Sequence, residues 1–460
     1  MGLRSVTAVT LLLRIPSRSI TSLVMLICTG QSSTFNSGLL AVTRCCRRSL
    51  MENDVNILLG AYACLPNAGT EPGNGWNWAT HLARRGMAVT VLTRADGRDQ
   101  IEAYQRDHPI QNLEFVYVSV PEKYFRSRSV MHYMFWHWSA VKVAKALHRI
   151  RPFDIAHHVT YASLHVPTQL WRLGVPTVFG PVGGGQIAPA SLLGYLRDAA
   201  RSERLRTFVT RALPYSPFHR RSIQKMGAVL AANVDTTSLV RAMGRPDVNE
   251  MFDVAIAESF MPPTPPHLPE RSSTLRLLWV GRIVPRKGLP IALDALAQVK
   301  GSVTLTIVGE SPDEGKLRNE IADRGLTGRI HWAGQRLPWP QVKEMYLRHD
   351  ALLFTSVRDT SGAQLLEAMA LGLPVITLDL HGAKEIVPPD AGIKVPVNSV
   401  GVARDLAAAM ESFARLTAEQ RAAMSLAAWT FASQNTWSAR AEQASCVYDQ
   451  LVRKPAIASA

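Results

Sequence analysis

The sequence predicts an α/β protein of two doubly wound domains, and three features carry that prediction. At 460 residues the chain has room for two domains of ordinary size. From Met51 onward it reads strand, loop, helix, strand: Val55–Leu59, a glycine-bearing loop, Trp78–Arg84 capped by Gly86, then Ala88–Leu92. The same order restarts at Leu275–Val280. It follows Met261–Pro269, where five prolines in nine residues exclude a helix or central strand and make a semi-rigid spacer. Strands alternating with helices predict parallel sheets with right-handed crossovers. The boundaries follow: a leader over 1–50, a first domain over 51–260, a linker over 261–270, a second domain over 271–435 and a closing helix over 436–453.

Composition sets the class. With 47% hydrophobic and 19% charged residues this is a globular chain with ample core, not a disordered one. The formal charge is +15, and Arg4, Arg14, Arg18, Arg44, Arg47 and Arg48, with no acid over 1–50, bring the remainder to +9. That excess suits anionic nucleotides or an anionic membrane surface. Nucleic acid is disfavoured, because no binding module is recognisable. Cys28, Cys45, Cys46, Cys64 and Cys446 show no C-x-x-C spacing, which points to a reducing cytoplasm. The leader's apolar runs, Val9–Leu13 and Leu23–Ile27, fall far short of the roughly 20 residues of a membrane span. It reads as a disordered, transit-peptide-like leader or as sequence upstream of a true start at Met51. An intact Met1 terminus on natively expressed protein would overturn the second reading.

Within the first domain, Gly73 and Gly75 lie on the loop Ala63–Gly75, at the carboxyl end of the first strand, where open α/β sheets bind ligands. A nicotinamide dinucleotide is disfavoured: the third glycine is missing, and Arg94 stands where the ribose-binding acid belongs. Glu122–Ala140 is rich in aromatics and suits either the core or an acceptor- or membrane-facing helix. A short strand in Pro152–Tyr161 ends at His157 and His158, and a second, Val175–Phe179, ends in Gly180–Gly185, an anion nest or a tight turn. Cations crowd residues 197–225: Arg197, Arg201, Arg204, Arg206, Arg211, Arg220, Arg221 and Lys225. They form either a solvated helical face or a surface for anionic lipid. Ala228–Ala232 and Asn233–Thr237 close the domain.

The second domain opens with Leu275–Val280 and the loop Gly281–Gly288, whose Arg282 and Lys287 precede a helix over Pro290–Val299. Two cations beside a helix N-terminus make an anion site. Strands over Val303–Val308, Arg329–Ala333 and Ala351–Phe354 and helices over Lys316–Arg324 and Gln341–Leu347 lead to Thr355–Thr377. There Thr360-Ser361-Gly362 enters a helix over Ala363–Ala370, Gly372 stops it, and a buried strand follows. Free N–H groups and the positive dipole end favour a phosphate near Ser361, Gly362 and Ala363. Glu367 follows Asp359 with seven residues between them and lies inside the helix, placed to accept from sugar hydroxyls. Asp379–Glu385 reads as a further loop at this edge, and helices fill 402–433.

This stretch resembles the acid-x7-Glu motif of family 4 retaining glycosyltransferases, E-x-F-G-x-x-x-x-E-A-M-A-x-G-x-P-V-I. Glu367-Ala368-Met369-Ala370, Gly372 and Pro374-Val375-Ile376 fit it; Asp359 replaces the first Glu and Ser361 the aromatic. Gly281-Arg282 through Lys287-Gly288 resembles the family's G-R-x-x-x-x-K-G loop. Asp154–Tyr161 with Gly180–Gly185 is similar to a bacterial polysaccharide-type subgroup of the group 1 enzymes. The resemblance, which spans about 55–453, implies the GT-B architecture, with the closing helix crossing back to the first domain. It implies retaining transfer from a UDP- or GDP-linked nucleotide-sugar, as substrate with no cofactor or metal, to a glycan or lipid-linked acceptor. Arg282 and Lys287 would hold the diphosphate and Ser361, Gly362 and Ala363 would add backbone donors. Glu367 would hold the ribose, Asp359 the donor sugar and His157 the same sugar from the other domain. Gly73 and Gly75 would admit diphosphate and acceptor, with Glu310 and Gln335–Leu337 near the base. The implied setting is cytoplasmic, peripheral at the inner membrane face. A nucleotide-sugar epimerase or hydrolase of this fold, or an inactive scaffold paralogue, shares these motifs; turnover without acceptor marks the former, loss of turnover the latter.

Overall fold

The computed structural model describes residues 55–120, 129–266, 273–334, 337–397 and 401–453. The leader, Gln335–Arg336 and parts of the aromatic and Pro-rich stretches lie outside them. Strands β1 (Asn56–Gly60), β2 (Ala88–Arg94), β3 (Leu113–Val118), β4 (Ile155–His158), β5 (Thr177–Val182), β6 (Ala228–Ala231) and β7 (Asn249–Glu250) form one sheet, in the order β3-β2-β1-β4-β5-β6-β7. The second sheet joins β8 (Leu275–Val280), β9 (Val303–Val308), β10 (Ile330–Trp332), β11 (Ala351–Phe354), β12 (Val375–Leu378) and β13 (Gly392–Val395), in the order β10-β9-β8-β11-β12-β13. The strand pairs are parallel. Each sheet winds outward one way and then the other, so the order reverses between β1 and β4 and between β8 and β11. Crevices at such reversals receive ligands at strand carboxyl ends.

The side-chain alternation of a strand explains the layers. Leu277, Leu353 and Ile376 pack into the apolar cluster on one face of the second sheet, while their neighbours Leu278, Leu352 and Val375 pack into the cluster on the other. Ile57 and Leu59 likewise oppose Leu58. Both sheet faces are covered, which is why these strands read as unbroken apolar runs.

The helix Trp437–Arg453 belongs to the first domain's core although it follows the second in sequence. Trp437, Ala441, Ala444 and Tyr448, spaced by three and four, sit in the cluster with Ile57, Trp78 and Ile155. Where the chain crosses between the domains, Ile256 N donates to Asn435 O and Trp437 N to Ile256 O.

Two local expectations change, and the aromatic stretch is partly core and partly outward-facing. Gly73 and Gly75 are not on a loop: the helix starts early, at Thr70–Arg84, with Pro72 in its first turn. Asp379–Glu385 contains a short helix, His381–Ile386. The aromatic stretch is a helix, Val130–Ile150, that divides its large side chains: Tyr133 and Trp136 are buried, while Met131, Met134, Phe135 and Trp138 face outward.

Candidate active site at the sheet reversals

The carboxyl ends of β8 and β11 carry the charged centre. After β8, Pro285–Lys287 makes one tight helical turn, and Gly288 takes φ +67, where a Cβ would lie 2.0 Å from Thr355 O. Only glycine lets this loop close onto the end of β11, and the closure buries Lys287 against its strand neighbour's loop. Lys287 Nζ donates to Asp359 Oδ2 and lies 5.6 Å from the Phe354 ring centroid. Arg286 Nη1 stands 3.7 Å from Asp359 Oδ1, and Ser356 Oγ donates to Oδ2 at 3.2 Å. Burial alone would raise the Asp359 pKa, but Lys287 and then Arg286 hold it below the ordinary carboxylate value. Asp359 is therefore a carboxylate at neutral pH.

Next along the chain, Ser361 is buried, and Gly362 takes φ +83, where a Cβ would meet the Phe354 ring at 2.8 Å. The helix Ala363–Ala370 starts there and presents its unbonded N–H groups beside Lys287 and Asp359. Glu367, further into the same helix, accepts from the Tyr346 hydroxyl at 2.8 Å. Burial lifts its pKa to about 7, against the lowering effects of Tyr346 and Lys287. Asp253, which follows β7, is lifted by burial to about 6 against the Ser361 hydroxyl. Arg282 is exposed at the mouth of its loop.

The first domain reaches this loop directly. Asn233 Nδ2 donates to Thr360 O at 2.9 Å, and a Cβ on Gly183 would lie 2.9 Å from Thr360 Oγ1. Val234 N donates to both Glu385 oxygens at 2.9 and 3.1 Å, and Arg358 Nε lies 2.7 Å from Glu203 Oε1. The Gly180–Gly185 run is accordingly an inter-domain contact and not an anion nest. Its N–H groups are already used: Gly183 donates to Ala162 O, Gly184 to Gln186 Oε1 and Gly185 to Thr236 Oγ1.

Three expected site residues make contacts within the first domain. His157 is 0% exposed within the first domain. Its Nε2 donates to Gly180 O at 2.7 Å, since a carbonyl only accepts, so Nδ1 accepts from the Tyr448 hydroxyl at 2.6 Å. Burial pulls its pKa down to about 4, and the ring is neutral. His157 thus ties its strand to the closing helix through Tyr448. Gly73 and Gly75 press on the segment before their helix, for a Cβ there would lie 2.0 Å from Ala68 O and 2.1 Å from Ala63 O, and Asn74 between them donates Nδ2 to Asp253 O at 3.0 Å. The expected Lys287, Asp359, Ser361, Gly362, Ala363 and Glu367 do come together, with Arg282 at the rim. Sequence reasoning missed Arg286 and Arg358, though each directly precedes a marked residue, and Tyr346, which no local pattern points to.

The family model of glycosyl transferases group 1 matches residues 264–428. Over 165 residues the chain is 28% identical to the lipopolysaccharide 1,6-galactosyltransferase of Salmonella typhimurium, covering 35% of this chain and 45% of that protein. The match thus spans less than half of that relative's length. The sucrose-phosphate synthase structure from Thermosynechococcus elongatus superposes with a TM-score of 0.60 at 17% identity, covering 86% of this chain and 99% of that one. Anabaena HepE in complex with UDP and glucose superposes with a TM-score of 0.55 at 17% identity, covering 85% of this chain and 98% of the other. By fold the chain is a GT-B protein, and residues 264–428 match the model of the group 1 glycosyl transferases.

Proposed function

We propose that this chain is a retaining, metal-independent glycosyltransferase of the family 4 type. It moves a sugar from a UDP- or GDP-linked donor to a glycan or lipid-linked acceptor in surface polysaccharide biosynthesis. The observation that carries the reading is the convergence of Lys287, Arg286 and Asp359 on the N-terminus of Ala363–Ala370 at the sheet reversal. A diphosphate there meets Lys287, the loop's Arg282 and the helix N–H groups, fixed charges aimed where leaving-group charge develops. Cations in those places do the work that a metal does elsewhere. Glu367 accepts from ribose hydroxyls, and Asp359 orients the donor sugar while sharing Lys287 with the diphosphate.

The setting is a membrane surface, reached through residues 197–225. On the helix Ala200–Ala212, Arg201, Arg204, Leu205, Phe208 and Val209 follow each other at helical spacing on the exposed side, continued by Tyr215 and Phe218. Phe208 is 70% and Tyr215 85% exposed. Apolar residues rimmed by arginines on one face suit the boundary of an anionic leaflet. Among the described residues no helix is long and apolar enough to cross a membrane.

The test is calorimetric titration of the full chain and Lys287→Ala with UDP-, GDP- and ADP-sugars. One donor should bind the wild type and be lost in the variant. A folded chain that binds none of them defeats the proposal. Turnover of the bound donor without any acceptor would shift the reading to an epimerase or hydrolase.

A further inference from the structure

The seam between the domains sets two guanidiniums against one carboxylate. From the first domain, the inward side of the helix Ala200–Ala212 carries Glu203 and Arg206. Arg206 Nη1 donates to Gln186 O at 2.8 Å and lies 3.9 Å from Glu203 Oε1. The same Glu203 oxygen pairs with Arg358 Nε at 2.7 Å, and Arg286 Nη1 donates to Arg358 O at 3.4 Å. Arg286 in turn stands by Asp359 and Lys287. Two guanidiniums, Arg206 and Arg358, thus share the single Glu203 carboxylate, while Asp359 already answers Lys287 and Arg286.

Arg206 is the surplus member. An inter-domain ion pair needs only Glu203 and Arg358, and a second guanidinium nearby adds repulsion. Burial and then the charge of Arg358 pull the Arg206 pKa down to about 10, with Glu203 opposing the fall and Arg286 adding to it. Its side chain is 24% exposed and that of Arg358 21%, so both remain reachable from the seam. The opposite side of the same helix is the apolar, arginine-rimmed face described above. A phosphate ester attached to a lipid tail in that surface needs to cross only about one helix diameter, roughly 10 Å, to reach Arg206.

We propose that Arg206 and Arg358 form a second anion site, which binds a phosphate ester carried by the acceptor, on the first-domain side of the donor diphosphate. The assignment to an acceptor rests on the transferase reading above; the anion site itself does not. The phosphate chemistry has two sources, a lipid phosphate in the bilayer or a soluble sugar phosphate.

The experiment uses the full chain, first saturated with UDP or GDP, whichever binds. One arm titrates glucose 1-phosphate by calorimetry; the other measures co-sedimentation with phosphatidylcholine vesicles containing phosphatidic acid. Arg206→Gln should weaken binding about tenfold or more in at least one arm, as loss of a charge-assisted contact does, with Arg206→Lys recovering most of it. Dependence in the vesicle arm alone identifies a lipid phosphate; dependence in the solution arm alone identifies a soluble one. Nucleotide affinity should stay within about twofold in Arg206→Gln, since no nucleotide contact is removed. If Arg206→Gln lowers the unligated melting midpoint, Arg358→Gln and Arg206→Lys carry the same comparison. Phosphate binding that is unchanged in Arg206→Gln and in Arg358→Gln overturns the inference. So does binding that is abolished by Lys287→Ala alone, for the anion then sits at the diphosphate site. If neither nucleotide binds, the transferase reading falls. The same titrations on the unloaded chain still decide the anion site.

Discussion

The Tyr346 hydroxyl donates to Glu367 Oε2 at 2.8 Å, so a helix other than its own aims the carboxylate. Burial raises the Glu367 pKa to about 7, above its value in an unfolded chain, so the native state binds the proton more tightly. Its contribution is fully present below about pH 4.3 and is lost as pH rises to about 7, because ionising the buried group costs free energy. Glu367→Gln removes that slope. Urea unfolding at about pH 5 and pH 8 should show the wild type losing on the order of 1–3 kcal/mol relative to the variant. Parallel stability curves would sink the assignment.

Asp359 titrates the other way. Its pKa is depressed, so its stabilisation is present above the unfolded value of about 3.9 and disappears only in more acid solution. Asp359→Asn leaves Lys287 and Arg286 facing each other without the counter-charge. It should cost about 2 kcal/mol at neutral pH, below the figure for a fully dry pair because Asp359 keeps some solvent contact. Inorganic pyrophosphate should stabilise this variant more than the wild type in a thermal melt. A variant that melts with the wild type would contradict the ion-pair account.

For His157 the expected defect is structural. Tyr448→Phe strands Nδ1 without a donor in a buried site and should destabilise the protein by about 1–3 kcal/mol. Nucleotide affinity should be unchanged. A Kd shift without a stability loss would return His157 to the donor pocket.

On the outward helix face, Leu205→Ser with Phe208→Ser should leave stability within about 0.5 kcal/mol, as exposed substitutions do. Binding to vesicles rich in anionic lipid should fall, and added salt should weaken what remains. Unchanged vesicle binding would remove this face from the proposed membrane contact.

Much of the fold was legible because doubly wound sheets bury their strands on both faces. The runs Leu275–Val280, Val303–Val308 and Ala351–Phe354 announce themselves by that burial. The edge strands gave less signal: β7 has two exposed residues and β13 is short. The charged centre was legible where one loop holds adjacent marked residues, as at Arg282 and Lys287 or Asp359 through Glu367. What the sequence could not show were relations set by packing between distant segments. His157 looked like a strand-end ligand because its partner, Tyr448, lies 291 residues away. The glycines at 73 and 75 looked like loop positions because the carbonyls they press against belong to the segment just before their helix.

The closing helix Trp437–Arg453 has a consequence for biosynthesis. Domains of a multidomain chain generally fold as they emerge from the ribosome, at about 5–20 residues per second, the N-terminal one first. Here the first domain's core keeps an open groove until Trp437, Ala441 and Tyr448 have been translated, so the domain that begins first is finished last. Nascent chains stalled before residue 437 should be chaperone-bound and protease-sensitive around Trp78 and Ile155, with the second domain already resistant.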